Sequence, residues 1–167
     1  MQGDMRNLSY VKKFDAIISM FTSFGYFDDD ADSVLVLREI ARALKSKGVF
    51  LIDLNNPAQV LASMVQAGRP DKRTGLLVRM TRDKLSTGLI VVTRHTLNLE
   101  TMRWVMHRTW KERGESKSYR TNVRLYSLPE LRHLMEENGL HVERVCGDFQ
   151  GARYRPDARR MIVLARA

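Results

Sequence analysis

Apolar residues gather in short unbroken runs near both ends of the chain and alternate with polar ones in the middle. That change of period divides the sequence. Residues 14–20 (FDAIISM) form a short run rich in Ile, as a strand buried on both faces would be. Residues 27–33 (FDDDADS) offer acidic and hydroxyl candidates for a helix N-cap. Val34, Leu37, Ile40, Ala41 and Leu44 then fall on one helical face. Lys45 and Lys47 suit the negative end of the helix dipole, and Gly48 suits the position just past it. Residues 49–54 (VFLIDL) are a second unbroken apolar strand. Two non-alternating strands around a helix predict a βαβ unit with parallel strands and a right-handed crossover. Ligands of open α/β sheets bind beyond the carboxyl ends of the strands, so residues 19–26 and 53–56 share the rim where a site belongs.

A helix is expected over residues 58–67 and a loop over 68–74. From there the period becomes two. Two β-rich runs flank a hairpin turn containing Ser86, Thr87 and Gly88. In TMRWVMHRTW, Met102, Trp104, Met106 and Trp110 share one face, and Arg103, His107 and Lys111 share the other. SYRTNVRLY alternates in the same way. Residues 75–126 therefore read as three or four antiparallel strands. The tail returns to α/β habit. Ser127 to Glu130 (SLPE) is a capping box with Pro in the first turn, and Leu131, Leu134 and Met135 form an apolar stripe. Gly139 and Leu140 suit a Schellman end. HVERVCG and RRMIVLAR are two further strands around a polar loop.

Composition narrows the picture. The 167 residues are 44% hydrophobic and 28% charged, which suits one folded domain rather than disorder. No apolar run is long enough to cross a bilayer, and no secretory pattern opens the chain, so a cytoplasmic protein without a membrane partner is expected. Cys146 is alone, which excludes an internal disulfide and a cysteine metal cluster, and no metal is expected. The formal charge of +9 favours contact with anions. Without a basic run or a binding motif, it reads as a generally basic surface, and nucleic acid is not the expected partner. The run Asp28–Asp29–Asp30 reads as helix capping, since it lacks the glycine and distal Glu of a calcium loop.

The segments together resemble class I S-adenosylmethionine-dependent methyltransferases, in the small-molecule, sugar N-methyltransferase-like branch. Gly3, Asp4, Met5 and Arg6 are similar to the segment after that fold's third strand. Residues 14–26 resemble its fourth strand and loop. LREIARALKSKGVFLIDLN resembles its helix-to-strand passage, with Ser46 and Lys47 in place of the usual Pro-Gly. The alternating segment resembles a substrate-covering insert, and YSLPELRHLMEENGL and RMIVLAR resemble the terminal helix and strand. The resemblance implies an α/β fold: a partial Rossmann-like sheet, with strands equivalent to 4-5-7-6, and an antiparallel β insert at 75–126 within a single domain of residues 1–167. It implies methyl transfer to a nitrogen or oxygen of a small-molecule acceptor. Asp4, Met5, Ser19, Met20 and Phe21 are the implied cofactor contacts. Phe24, Tyr26, Asn55, Asn56 and Tyr154 are the implied acceptor contacts, and no catalytic residue is assigned.

One departure carries weight. The family opens with a strand and a glycine-rich turn that lets the backbone approach the cofactor, followed by an acid for the ribose hydroxyls. Neither stands in residues 1–167, whose glycines occur singly. The expectation is an N-terminally truncated methyltransferase with weak or absent S-adenosylmethionine binding. Its strand at 14–20 would have an open edge that invites self-association or a separate N-terminal fragment. The alternative is a non-catalytic fragment acting as an oligomerisation or partner-binding module. His95 and His107 are candidate bases, though lone strand histidines are more often structural. Trp104, Met106 and Trp110 are expected to pack rather than to stack on substrate.

Overall fold

Two β-sheets, in two units, organise the computed structural model, which describes residues 3–167. The first unit joins the two ends of the chain, up to Gln59 and from Tyr126 onward, and the second runs Val60–Leu125. In the first, β1 (Phe14–Ser19), α1 (Asp30–Ala43) and β2 (Leu44–Asn55) form the expected βαβ unit, with β1 and β2 parallel. α3 (Leu128–Glu137), β8 (His141–Cys146) and β9 (Arg160–Arg166) complete it. The sheet order is β1-β2-β9-β8, with β9 antiparallel to both neighbours, matching the 4-5-7-6 order that the resemblance implies. Phe50, Ile52 and Leu54 alternate along β2, as do Met161, Val163 and Ala165 along β9. They meet Val36, Leu37 and Ile40 of α1 and Leu131 and Met135 of α3 in one apolar cluster. Full burial stabilises each large side chain by about 1.5–3 kcal/mol.

Local chemistry sets the helix ends. The Asp29 carboxylate caps α1 by accepting from Ala31 N, with Asp30 and Asp32 in the positive first turn. The Ser127–Glu130 capping box starts α3. At its other end Leu140 N–H donates to Met135 O at 2.9 Å and Gly139 N–H to Glu136 O at 3.1 Å, with Gly139 at φ 79. That is the expected Schellman end, and its left-handed residue favours glycine.

Two expectations are corrected. Gly48 does not follow α1. The helix stops at Ala43 and the chain enters β2 at once, because Lys47 turns left-handed at φ 65 and residues 45–48 bulge out of register with β1. Gly48 is needed there for space, since a Cβ would lie 2.8 Å from Lys45 O. Nor is β1 buried on both faces. It is an edge strand with β2 as its partner, and Ile18 is 68% exposed on the face opposite α1 and α3. Ile-rich composition reports β propensity, not coverage.

In the second unit, β4 (Leu77–Lys84), β5 (Ile90–Asn98), β6 (Arg103–Glu112) and β7 (Glu115–Arg124) form an antiparallel meander, preceded by the two-residue β3 (Arg69–Pro70). The unit also takes in most of α2 (Pro57–Ala67), so it starts well before residue 75. Val60 and Met64 of α2 pack on Leu97, Val123 and Leu125, with Met102 and Trp104 alongside, as the face pattern predicts. Arg79 is hydrogen-bonded to Ser63 on the helix. Among the described residues no helix is long and apolar enough to cross a membrane.

Candidate functional site

At the carboxyl ends of β1 and β2, an aspartate sits inside an otherwise apolar strand. Asp53 is fully buried, and a buried carboxylate must be paired. Arg160, at the start of β9, donates from Nε to Asp53 Oδ1 at 2.6 Å. Phe21 N–H donates to Oδ2 at 2.8 Å, and Thr22 N–H donates to Asp53 O at 2.9 Å. The guanidinium reaches further, with Nη1 to Asn55 Oδ1 at 2.9 Å and Nη2 to Thr22 Oγ1 at 3.3 Å. Thr22 Oγ1 also accepts from Asn55 N at 2.9 Å.

This network holds an unusual turn. Phe21 and Thr22 are both left-handed, at φ 57 and φ 59, and neither is glycine. Such a conformation costs about 1–2 kcal/mol per residue, and more strain attends a β-branched side chain. Burying Thr22 and aiming two successive amides at Asp53 offsets that cost. The consequence is Phe21, 77% exposed at the mouth of the rim. Strained turns of this kind cluster at ligand-contacting sites.

The other expected site residues fall in different places. Ser19 is buried at the end of β1, its hydroxyl 2.9 Å from that of Ser23. Met20 is half-buried and Tyr26 is exposed. Phe24 is a core side chain, 1% exposed and packed on the Tyr126 ring at 5.4 Å, so it supports the rim from beneath instead of facing an acceptor. Asn56 is fully buried with its amide fully engaged. Its Oδ1 accepts from Tyr154 Oη at 2.8 Å and Ala58 N at 3.0 Å. Its Nδ2 donates to the carbonyls of Arg155 at 2.9 Å and Ala158 at 2.8 Å. Asn56 therefore braces the loop before β9 and has no group left for an acceptor. Tyr154 shares that brace, and burial raises its phenol above the ordinary tyrosine range. Asp4 is turned to Arg6, whose Nη2 lies 2.6 Å from Oδ2, and these hydrogen bonds hold its carboxyl down to about 2. Arg6 also pairs with Asp32 of α1 at 3.0 Å and covers the Phe27 ring, so the segment carrying Asp4 and Met5 is tied to the start of α1. Met5 packs against the core.

Arg160, Thr22 and the bracing role of Asp53 escaped the sequence reading. A lone acid within VFLIDL was the available signal, since it demands a cationic partner.

No protein-family model matches the chain. A cypemycin N-terminal methyltransferase from Streptomyces sp is 24% identical over 164 residues, covering 98% of this chain and 62% of that protein. The CcbJ methyltransferase from Streptomyces caelestis superposes with a TM-score of 0.82 at 17% identity, covering 99% of this chain and 62% of that one. The described residues carry the class I methyltransferase fold. The sugar N-methyltransferase KedS8 from Streptoalloteichus sp shares it, with a TM-score of 0.64 at 19% identity over 99% of this chain and 60% of that chain. The chain thus spans about three-fifths of the length of the relatives it matches.

The strained turn at Phe21 and Thr22 and the exposed Phe21 ring are the backbone and aromatic face that could hold one side of a methyl-donor cofactor at this rim. The described residues hold no glycine-rich strand-to-helix turn.

Proposed function

We propose that the protein serves S-adenosylmethionine-dependent methyl transfer to a small-molecule acceptor, and that the described residues form the acceptor side of that machinery. The observation that carries this reading is the braced left-handed turn at Phe21–Thr22, placed at the rim where ligands of such sheets bind. Nitrogen is the favoured acceptor atom, because the curated relative is named as an N-terminal methyltransferase and KedS8 as a sugar N-methyltransferase. Oxygen is the alternative. The cofactor, when bound, supplies an electrophilic methyl on a sulfonium. The chain's task is then in-line positioning, which needs no obligatory base. Phe21 and Tyr26 present exposed rings, Ser19 and Met20 border the turn, and Asn55, held by Arg160, sits at the end of β2.

The edge of β1 supports a second element of the proposal. Its outer side has no partner strand among the described residues, and Ile18, Val11 and Phe21 are exposed near it. Such an edge pairs readily with another polypeptide. A complementary chain bearing a glycine-rich turn, or a second copy, covers it. In this reading S-adenosylmethionine binding by this chain alone is weak. The competing reading, a non-catalytic module that assembles through the same edge, rests on that exposure alone.

Transfer of labelled methyl from S-adenosylmethionine to amino-sugar acceptors tests the proposal, run with the chain alone and with a polypeptide carrying the amino-terminal part of a relative. Transfer that needs the added polypeptide and falls in an Asp53→Asn variant supports it. Stable association without transfer to any amine or hydroxyl acceptor favours the module.

A further inference from the structure

Strand register in the second unit confines the strand acids to one face of its sheet, alongside Arg79, Arg108 and Lys117, and leaves cations without acids on the other. Met80, Arg94, His107 and Arg120 lie in one cross-strand row, and Arg82, Val92, Thr109 and Ser118 lie in the next. By the same alternation Arg69, Lys84 and Lys111 point to that side. These six cations are exposed, and no ion pair among the described residues engages them. Asp83, Glu112 and Glu115, the acids of the described strands in this sheet, all point to the other face. That other face is the one α2 packs upon. The basic side therefore lies open within its unit.

It is not featureless. A groove of about 600 Å³ opens on it, within the range of small-ligand sites. Ile90 and Val92 give it an apolar floor, Arg82 and Lys111 bring one cation each from β4 and β6, and Thr109 and Ser116 add hydroxyls.

We propose that this groove binds a phosphate monoester carried on an apolar or aromatic body, with Arg82 and Lys111 flanking the phosphate and Ile90 and Val92 meeting the body. A monoester has close to two negative charges at neutral pH, which matches two cations with no competing carboxylate. A second copy of the chain does not fit there, because two such faces repel. A single-stranded nucleic acid fits less well, since Trp110 is the one aromatic ring lining the groove, and a strand needs successive rings on which its bases stack. The site lies within one unit and does not depend on the proposed methyl transfer.

Fluorescence anisotropy of 1-naphthyl phosphate titrated with the protein tests it. The expected result is saturable binding that weakens as salt rises, and at least tenfold weaker binding in Arg82→Gln/Lys111→Gln. Neutral 1-naphthol should bind at least tenfold more weakly than the ester, and Lys45→Gln, which lies in the other unit, should bind like the parent. Circular dichroism checks that each variant keeps its fold, and Arg82→Lys retaining affinity within about threefold marks charge as the determinant. Equal binding of naphthol, unchanged affinity in the folded double variant, or no saturation would overturn the proposal. Tighter binding of an oligonucleotide than of the ester would overturn it too, in favour of a polymeric anion.

Discussion

Replacing Arg160 by methionine isolates the contribution of the rim brace. The change keeps most of the side chain's apolar length and removes three hydrogen bonds, to Asp53, Asn55 and Thr22. It leaves the fully buried Asp53 carboxylate with the Phe21 N–H alone on its side chain. Removing one partner of a buried pair costs roughly 3–5 kcal/mol, mostly because the remaining charge stays desolvated. With a urea slope of about 2 kcal/mol/M, that lowers the unfolding midpoint of the four-stranded unit by about 2 M. The double variant Asp53→Asn/Arg160→Met carries no buried charge, and its amide still accepts from Phe21 N–H. It is expected to lose only about 1–2 kcal/mol, less than the single variant. Urea titration by circular dichroism gives the order of stabilities, and hydrogen exchange at the Phe21 and Thr22 amides reports the turn itself. An Arg160→Met protein within about 1 kcal/mol of the parent, or a double variant less stable than the single, would refute the reasoning.

Three further outcomes are expected. Ser127→Ala removes the oxygen that accepts from Glu130 N and should cost about 1 kcal/mol, read as a lower melting temperature. Gly48→Ala places a methyl 2.8 Å from Lys45 O at a buried position and should cost about 1–3 kcal/mol, with Ser46→Ala, exposed in the same bulge, nearly neutral. Burial first, then Arg79 and Arg108, hold the His95 imidazole below its usual value of 6.5. The unfolded chain then binds more protons, so stability is fully present above about pH 6.5, falls as pH drops through the window below it, and loses that slope in His95→Gln.

Much of the architecture was legible in the residues. The 127–140 stretch announces its helix at both ends, because capping boxes and Schellman turns are local chemistry with fixed spacing. The period-two stretch separates Trp104 and Met106 from Arg103 and His107 because no bulge interrupts those strands. The order of the first sheet came from resemblance, since pattern alone says nothing about which strands are neighbours. What escaped depends on tertiary context. An Ile-rich strand looks the same at an edge as in a centre, so the exposure of Ile18 was hidden. Gly48 suits a helix end and a bulge equally until Lys47 is seen to turn left-handed. The two residues of β3 are too few for any period. The partnership of Asp53 with Arg160 spans 107 positions, and only folding brings them together.

The central proposal is that these residues supply the acceptor side of methyl transfer, and that a segment bearing a glycine-rich turn pairs along β1 to complete it. Calorimetric titration of S-adenosylhomocysteine tests it most directly, with the chain alone and after mixing with an amino-terminal part from a relative. Weak heat is expected from the chain alone and saturable binding from the mixture, lost when Ile18→Lys spoils the edge. Tight binding by the chain alone, or none in a mixture shown by light scattering to associate, would contradict it.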